Sequence, residues 1–274
     1  MATLPTLHIV IPVYNEEATL LECLSRVDAA ALPPGWSRSL LLVNDASTDG
    51  TRALLERQFT AESAETAEKE KDAVSNPSHL SACSAISAVR LLHHDRNRGK
   101  GAAIRTGFAA ALENAGDADA ILVQDADLEY NPADYERLLE PIVQGRARVV
   151  FGTRFGPHYH PTTFALRLHA LGNRLLTELV NWRTGQHLTD MECGYKAFTA
   201  PVLRRILPML REDRFGIEPE IAAAVAAIGQ RIEEVTVSYH PRSVGQGKKI
   251  KWSDGLAALR VISRGVRNRM EARS

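Results

Sequence analysis

Residues 120–129 read AILVQDADLE, and this stretch decides the fold. Four apolar residues followed at once by polar ones suit a short strand buried on both faces. Such strands belong to parallel sheets flanked by helices. Working outward, the same unit recurs. Leu7–Val13 is an apolar run stopped by Tyr14-Asn15-Glu16-Glu17, and Ser39–Val43 is another, stopped by Asn44-Asp45. Val89–His93 and Arg148–Gly152 complete five predicted strands. Between them lie helical patterns: Ala18–Ala30, Arg52–Phe59, Gly101–Leu112 and Pro132–Val143. Strictly alternating strands and helices predict a doubly wound α/β sheet. Its ligand is expected beyond the carboxyl ends of the strands.

The second half is less regular. Thr163–Val180 reads as a long helix with Leu166, Leu171, Leu175 and Leu179 among its apolar positions. Thr189–Lys196 reads as a loop, Pro201–Leu210 and Glu218–Ile228 as helices, and Ile232–Tyr239 as a strand. One stretch breaks the alternation. Residues 59–88 hold seven Ala, six Ser and five acidic groups with few large apolar residues. That composition predicts a low-complexity insertion, partly helical over Ala61–Ala73.

Composition narrows the class. The 274 residues carry 33 basic and 33 acidic side chains, so no strongly basic nucleic-acid surface is expected. Cys23, Cys83 and Cys193 are far apart, which predicts neither a zinc cage nor a disulfide framework. No secretory leader or membrane-spanning run is read, so a cytoplasmic protein is expected.

The chemistry gathers at strand ends. Four polar clusters follow predicted strands: Tyr14-Asn15-Glu16, Asn44–Gly50, Asn97–Gly101 and Asp125–Glu129. In Asp125-Ala126-Asp127, residues i and i+2 of an extended chain point the same way. Two carboxylates side by side repel unless a cation lies between them. Mg²⁺ or Mn²⁺ is held by one or two carboxylates together with phosphate oxygens and water. The pair therefore predicts a divalent ion shared with a diphosphate. No Gly-x-Gly-x-x-Gly follows the first strand, and Gly99-Lys100-Gly101 lacks the Ser or Thr of a Walker loop. Lys100 is instead expected in a glycine-permitted turn near a phosphate.

These residues resemble the family 2 glycosyltransferases of GT-A fold, and within them the dolichyl- and polyprenyl-phosphate mannosyl- and glucosyltransferases. The matching stretches are IPVYNEE, VNDASTDGT, NRGKGAAIRTG, DADLEYNP, FGTRF, DMECGYKAF, FGIEPEI and RSVGQGKKIKW, running from Leu7 to Trp252. The resemblance implies a mixed, mainly parallel sheet over residues 1–252. It implies nucleotide contacts at Pro12, Tyr14, Glu16 and Asp45, with Val43 beside the base. It implies metal binding by Asp125 and Asp127, with Ala126 between them and Glu129 near the ion. Arg154 matches an Arg facing a phosphate, and Arg242 and Lys248 match basic residues of a loop closing on the diphosphate. Lys196 stands where many mannosyl enzymes carry Arg, and Gly247-Lys248 replaces their Ser-Lys. The donor is therefore expected to be a UDP- or GDP-hexose and the acceptor a polyprenyl phosphate.

A phosphate monoester is already anionic near neutral pH, its second pKa being about 6. Such an acceptor needs orienting cations, for which Arg154 and Lys196 are candidates, more than it needs a base. The rival reading, a saccharide hydroxyl acceptor, requires a base, and Asp190 and Glu192 are the obvious ones. A third reading is a nucleotide-sugar-binding protein without turnover. The tail completes the picture. Residues 242–274 hold nine Lys or Arg against Asp254 and Glu271. A helix over residues 253–274 would place Leu256, Leu259, Ile262 and Val266 on one stripe and arginines on another, the pattern of a helix lying on an anionic membrane face.

Overall fold

The structure is a computed structural model, and it describes residues 4–59, 86–156 and 164–241. The core of the predicted insertion, the loop Pro157–Pro161, Arg242, Lys248 and the C-terminal helix lie outside these residues.

Strand β1 (Thr6–Val13) is an interior strand of the sheet. It pairs in parallel with β2 (Ser37–Asn44) on one side and with β4 (Ala120–Val123) on the other. Strand β3 (Ile86–His93) adds to β2, also in parallel. Beyond β4 come β6 (Lys196–Thr199), β5 (Val149–Thr153) and β7 (Glu233–Thr236). Among the described residues the seven strands run in the order β3-β2-β1-β4-β6-β5-β7. The direction of winding reverses between β1 and β4, which opens a crevice at their carboxyl ends.

Strand β6 was not expected from the sequence. It is antiparallel to both β4 and β5, with Lys196 opposite Val123 and Phe151. A four-residue strand that begins with Lys reads as the end of a loop, and neighbouring strands alone select it. It makes the sheet mixed, as the resemblance implied.

Alternation along the strands builds two cores. Leu7, Ile9 and Ile11 of β1 and Leu40 and Leu42 of β2 face α1 (Leu20–Ala29) and α4 (Tyr135–Val143). Val10, Leu41, Ile121 and Val123 face the opposite way, with Ile104 and Phe108 of α3 (Lys100–Leu112). Each fully buried Leu, Ile or Val contributes roughly 1.5–3 kcal/mol. Helix α3 lies close to β1 because of Gly107, where a Cβ would come within 2.3 Å of Val10 Cγ1. A helix over 51–59 (α2) follows β2. Helices α6 (Ala200–Ile206) and α7 (Ile217–Ala227) cover the α3 face.

The long helix α5 (Phe164–Thr184) departs from its expected packing. Leu179 and Val180 pack on the core, but Leu171 and Leu175 do not. Leu168, Leu171, Leu175 and Trp182 are exposed, at spacings that place them on one stripe.

Candidate active site

The four clusters converge at the carboxyl ends of β1, β2 and β4 and the start of α3. Three residues there have positive φ without being glycine: Asn15 (52°), Ala46 (55°) and Leu128 (65°). Each costs of order 1 kcal/mol or more, a strain that persists only where surrounding contacts enforce it. The contacts are visible. Thr48 N–H donates to Asn15 Oδ1 at 2.8 Å, and Asn15 N–H donates to Ser47 Oγ at 3.0 Å. The loops after β1 and β2 are thus laced into one surface.

Pro12 and Tyr14 are half-buried on this surface, whereas Val43 is fully buried in β2. Glu16 is buried, and its carboxylate accepts from Thr19 Oγ1 at 2.9 Å. Asp45 is 2% exposed and turned inward. It accepts from Arg98 N–H at 2.8 Å and Gly99 N–H at 2.7 Å, and His94 Nδ1 lies 2.6 Å away. Its visible role is to hold the Asn97–Gly99 turn against the end of β2, a role that sequence alone did not suggest.

Asp125 and Asp127 leave the end of β4 half-buried on either side of the buried Ala126. Gln124 anchors them from below. Its amide donates to Asp125 O at 2.9 Å, while the hydroxyls of Tyr135 and Tyr195 donate to its Oε1, both at 2.7 Å. Asp127 Oδ1 accepts from Glu129 N–H at 3.1 Å. The Glu129 carboxylate is engaged by Tyr239 OH at 3.2 Å. Among the described residues no three His, Cys, Asp or Glu side chains are gathered tightly enough to hold a metal alone. The donor set still suits Mg²⁺ or Mn²⁺, which take one or two carboxylates and complete their shell with substrate phosphates and water. Gly194 leaves room beside this carboxylate, where a Cβ would come within 2.3 Å of Asp125 Oδ2. The Lys100 ammonium already pairs with Asp125, so a divalent ion there has to displace it.

Lys100 thus meets Asp125 directly and, at 3.4 Å, Glu218. Burial alone would lower its pKa, but the two carboxylates outweigh that and raise it. Glu218, in the first turn of α7, was not singled out from the FGIEPEI stretch, and it differs in role from Glu220 two residues on. Glu220 instead caps the neighbouring turn, accepting from Arg211 and Glu212 N–H at 2.8 and 2.9 Å.

The acceptor-side cations are placed differently from expectation. Lys196 does not face an open acceptor surface. It is 1% exposed, pairs with Glu218, donates to the carbonyls of Met191 and Cys193, and lies over the Phe151 ring. It is a buried clamp beneath the site. Arg154, at the end of β5, makes a fork with Asp190 and lies 5.1 Å from the centre of the Tyr239 ring. With Arg137, Tyr239 and His240 it lines a pocket of about 340 Å³.

The two candidate bases separate. Against the cost of burial, the Arg154 guanidinium holds Asp190 below the usual carboxylate range. Asn173 Nδ2 also donates to it at 2.7 Å. A carboxylate so occupied is a poor base, so Asp190 leaves the list of candidates. Glu192 is the opposite case. Burial, then the nearby Glu218 charge, raises its pKa to about 7.

Comparison with known proteins agrees with this geometry. The pattern described as "Glycosyl transferase family 2" matches residues 8–66 and 75–207, well over half the chain. An undecaprenyl-phosphate mannosyltransferase of Micrococcus luteus is 29% identical over 265 residues, covering 96% of this chain and 95% of that one. A glycosyltransferase of Haloferax volcanii, AglJ, is 30% identical over 89% of this chain and 66% of its own length. An undecaprenyl-phosphate 4-deoxy-4-formamido-L-arabinose transferase of Aeromonas hydrophila is 29% identical over 88% of this chain. This chain spans only 61% of that relative. Among solved structures, glucosyl-3-phosphoglycerate synthase of Mycobacterium tuberculosis, determined with Mg²⁺ and UDP, superimposes with a TM-score of 0.60. It shares 18% identity over 94% of this chain and 80% of that one, a likeness of fold. The doubly wound sheet, the carboxylates at the switch point and the matched sequence lead to one conclusion: the chain belongs to glycosyl transferase family 2.

Proposed function

We propose that the protein is an inverting hexosyltransferase that moves glucose or mannose from a UDP- or GDP-sugar to a polyprenyl phosphate. The observation that carries this reading is the extent of the likeness to undecaprenyl-phosphate mannosyltransferase. It runs over 95% of that protein, so the acceptor side from Arg154 to Lys196 is included with the nucleotide side.

The chemistry follows from charge. An oxygen of the acceptor phosphate attacks the anomeric carbon, the bond from that carbon to the diphosphate breaks, and its electron pair leaves with the diphosphate. The attacking oxygen is already anionic, so no protein base is needed. Arg154, prepositioned by Asp190 at the pocket, orients the acceptor through charge-assisted hydrogen bonds. Asp125 and Asp127 would hold Mg²⁺ or Mn²⁺, which supplies charge stabilisation to the departing diphosphate. Pro12, Tyr14 and Glu16 form the nucleotide edge, with Asp45 fixing the turn that carries Lys100. Arg242 and Lys248, outside the described residues, are assigned to the diphosphate by the sequence resemblance alone.

The lipid must be met at a membrane. Among the described residues no helix is long and apolar enough to cross one. The exposed Leu168, Leu171, Leu175 and Trp182 of α5, flanked by exposed Arg167 and Arg174, support contact with the surface instead. Asn173, on the opposite, buried face of the same helix, reaches Asp190, the partner of Arg154, so the helix is tied to that pair from within. The reading divides the chain into a catalytic domain, 1–252, and a basic membrane-binding segment, 253–274, at the inner face of the cytoplasmic membrane.

A saccharide hydroxyl acceptor is the second reading, and the raised pKa of Glu192 favours it. The deciding experiment is a matrix of UDP- and GDP-sugars against short polyprenyl phosphates and neutral saccharides, with and without Mn²⁺. Transfer to the lipid phosphate alone is expected; transfer to saccharides alone rejects the reading.

A further inference from the structure

A chain of alternating charges runs inward from the metal-binding carboxylate: Asp125, Lys100, Glu218, Lys196. It joins four elements, the ends of β4 and the starts of α3, α7 and β6. Lys100 Nζ lies 2.9 Å from Asp125 Oδ1 and 3.0 Å from Oδ2. It lies 3.4 Å from Glu218 Oε1, while Glu218 Oε2 meets Lys196. The side chains are closed off to different degrees: 20% exposed for Lys100, 15% for Asp125, 4% for Glu218 and 1% for Lys196.

Lys196 alone would neutralise Glu218. It is also fixed in place by two backbone carbonyls and an aromatic face. Lys100 is held differently, because its two partners in the site are carboxylates on opposite sides. A divalent cation that binds Asp125 meets an ammonium already in contact with both oxygens of that carboxylate. Two cations on one partly buried carboxylate repel strongly. The ammonium must withdraw, and it can do so without entering water, because Glu218 is a second acceptor within a short shift.

From this geometry we infer that Lys100 is an exchangeable counter-ion of Asp125, and that Glu218 positions it by receiving it when a divalent ion and a diphosphate arrive. Lys100 keeps the acidic site neutral beforehand. Afterwards, held by Glu218, it lies beside the ion and can meet the diphosphate. The inference rests on the proposed role of Asp125 in metal binding and adds to it how the ion gains entry.

The test is Mn²⁺ binding to the full chain without nucleotide, followed by the electron paramagnetic resonance signal of free Mn²⁺. Nucleoside diphosphate binding is measured separately by calorimetry, and thermal melting checks each variant's fold. Lys100→Met should tighten Mn²⁺ binding roughly tenfold, as loss of a contacting cation predicts, yet weaken diphosphate binding. Glu218→Gln should weaken Mn²⁺ binding several-fold, because Lys100 then has only Asp125. In the double variant the Glu218 substitution should have little further effect, since the ion it acts through is gone. A purely structural Glu218 would give the same loss with or without Lys100, and that result overturns the exchange. So does unchanged or weaker Mn²⁺ binding in a folded Lys100→Met protein. Asp125→Asn separates the two levels. If it leaves Mn²⁺ binding intact, the metal assignment itself fails; if it abolishes binding while Lys100→Met changes nothing, only the exchange fails.

Discussion

Arg154 meets Asp190 through two parallel hydrogen bonds, Nε to Oδ2 and Nη2 to Oδ1, each 2.7 Å long. Asp190 is fully buried, and the Arg154 backbone N–H also donates to it at 3.0 Å. The two residues form one unit, and Arg154 lines the pocket it shares with Arg137, Tyr239 and His240. Asp190→Ala should therefore cost about 3–5 kcal/mol of stability, because it strands a buried guanidinium. It should also lower transfer, although Asp190 is not a base. Chemical denaturation and initial rates check both effects. A variant with unchanged stability contradicts the pairing.

Arg154 itself gives a second prediction. Arg154→Lys keeps the charge but loses the fork. With a lipid phosphate acceptor it should depress kcat/KM for the acceptor and spare nucleotide-sugar binding. The measurement is single-turnover transfer at saturating donor. Equal loss of donor affinity would move Arg154 to the donor side.

The ion is tested by its ligands. Asp125→Ala or Asp127→Ala should each abolish transfer, and EDTA should do so reversibly, with Mn²⁺ restoring it. Activity in a verified metal-free sample would remove the divalent ion from the reaction.

Glu192 has its pKa raised to about 7 by burial and the Glu218 charge, against an ordinary carboxyl value of 4.5. A raised folded value means that the native state binds this proton more tightly than the unfolded chain. Stability linked to this group is thus present below pH about 4.5 and lost as pH rises towards 7. Glu192→Gln should remove that loss and raise the melting temperature above pH 7, the linked energy being a few kcal/mol at most. Activity separates the acceptors. With a phosphate acceptor the amide variant keeps most of its rate. With a hydroxyl acceptor it loses about 10²–10⁴-fold, the usual contribution of a general base.

The proposed membrane contact has two candidate parts. Leu171→Glu with Leu175→Glu on α5 should reduce binding to anionic vesicles without altering the fold, both residues being exposed. Truncation after Trp252 removes basic groups worth about 1 kcal/mol each near such a surface. Sedimentation with vesicles checks each variant. Full binding by the α5 variant would assign the contact elsewhere.

Local pattern carried far in this chain. The first five strands and the four helices among them were legible because each is a short run with its own periodicity and stop signal. The strand-end clusters were legible for the same reason: a doubly wound sheet sends its polar turns to one edge. The spacing of Asp125-Ala126-Asp127 was enough to raise the expectation of a cation between them. The two faces of α5 were not legible, because Leu at helical spacing is the same letter whether it meets a core or a solvent.

The alternating fold, and the edge of the sheet where its polar clusters gather, could thus be read from the residues alone. Which charges meet there depended on the folded packing. Asp190 and Glu192 are two residues apart, yet one is bound by Arg154 and held below the usual range, while the other lies near Glu218 and is raised. Lys100 and Lys196 read alike as phosphate-facing cations; one contacts Asp125 and the other is sealed beneath the site. Even β6 exists only because β4 and β5 lie on either side of it. The physical reason is common to all three. Periodicity is a property of neighbours along the chain, whereas Coulomb interaction, desolvation and strand pairing depend on distances that only the folded packing sets.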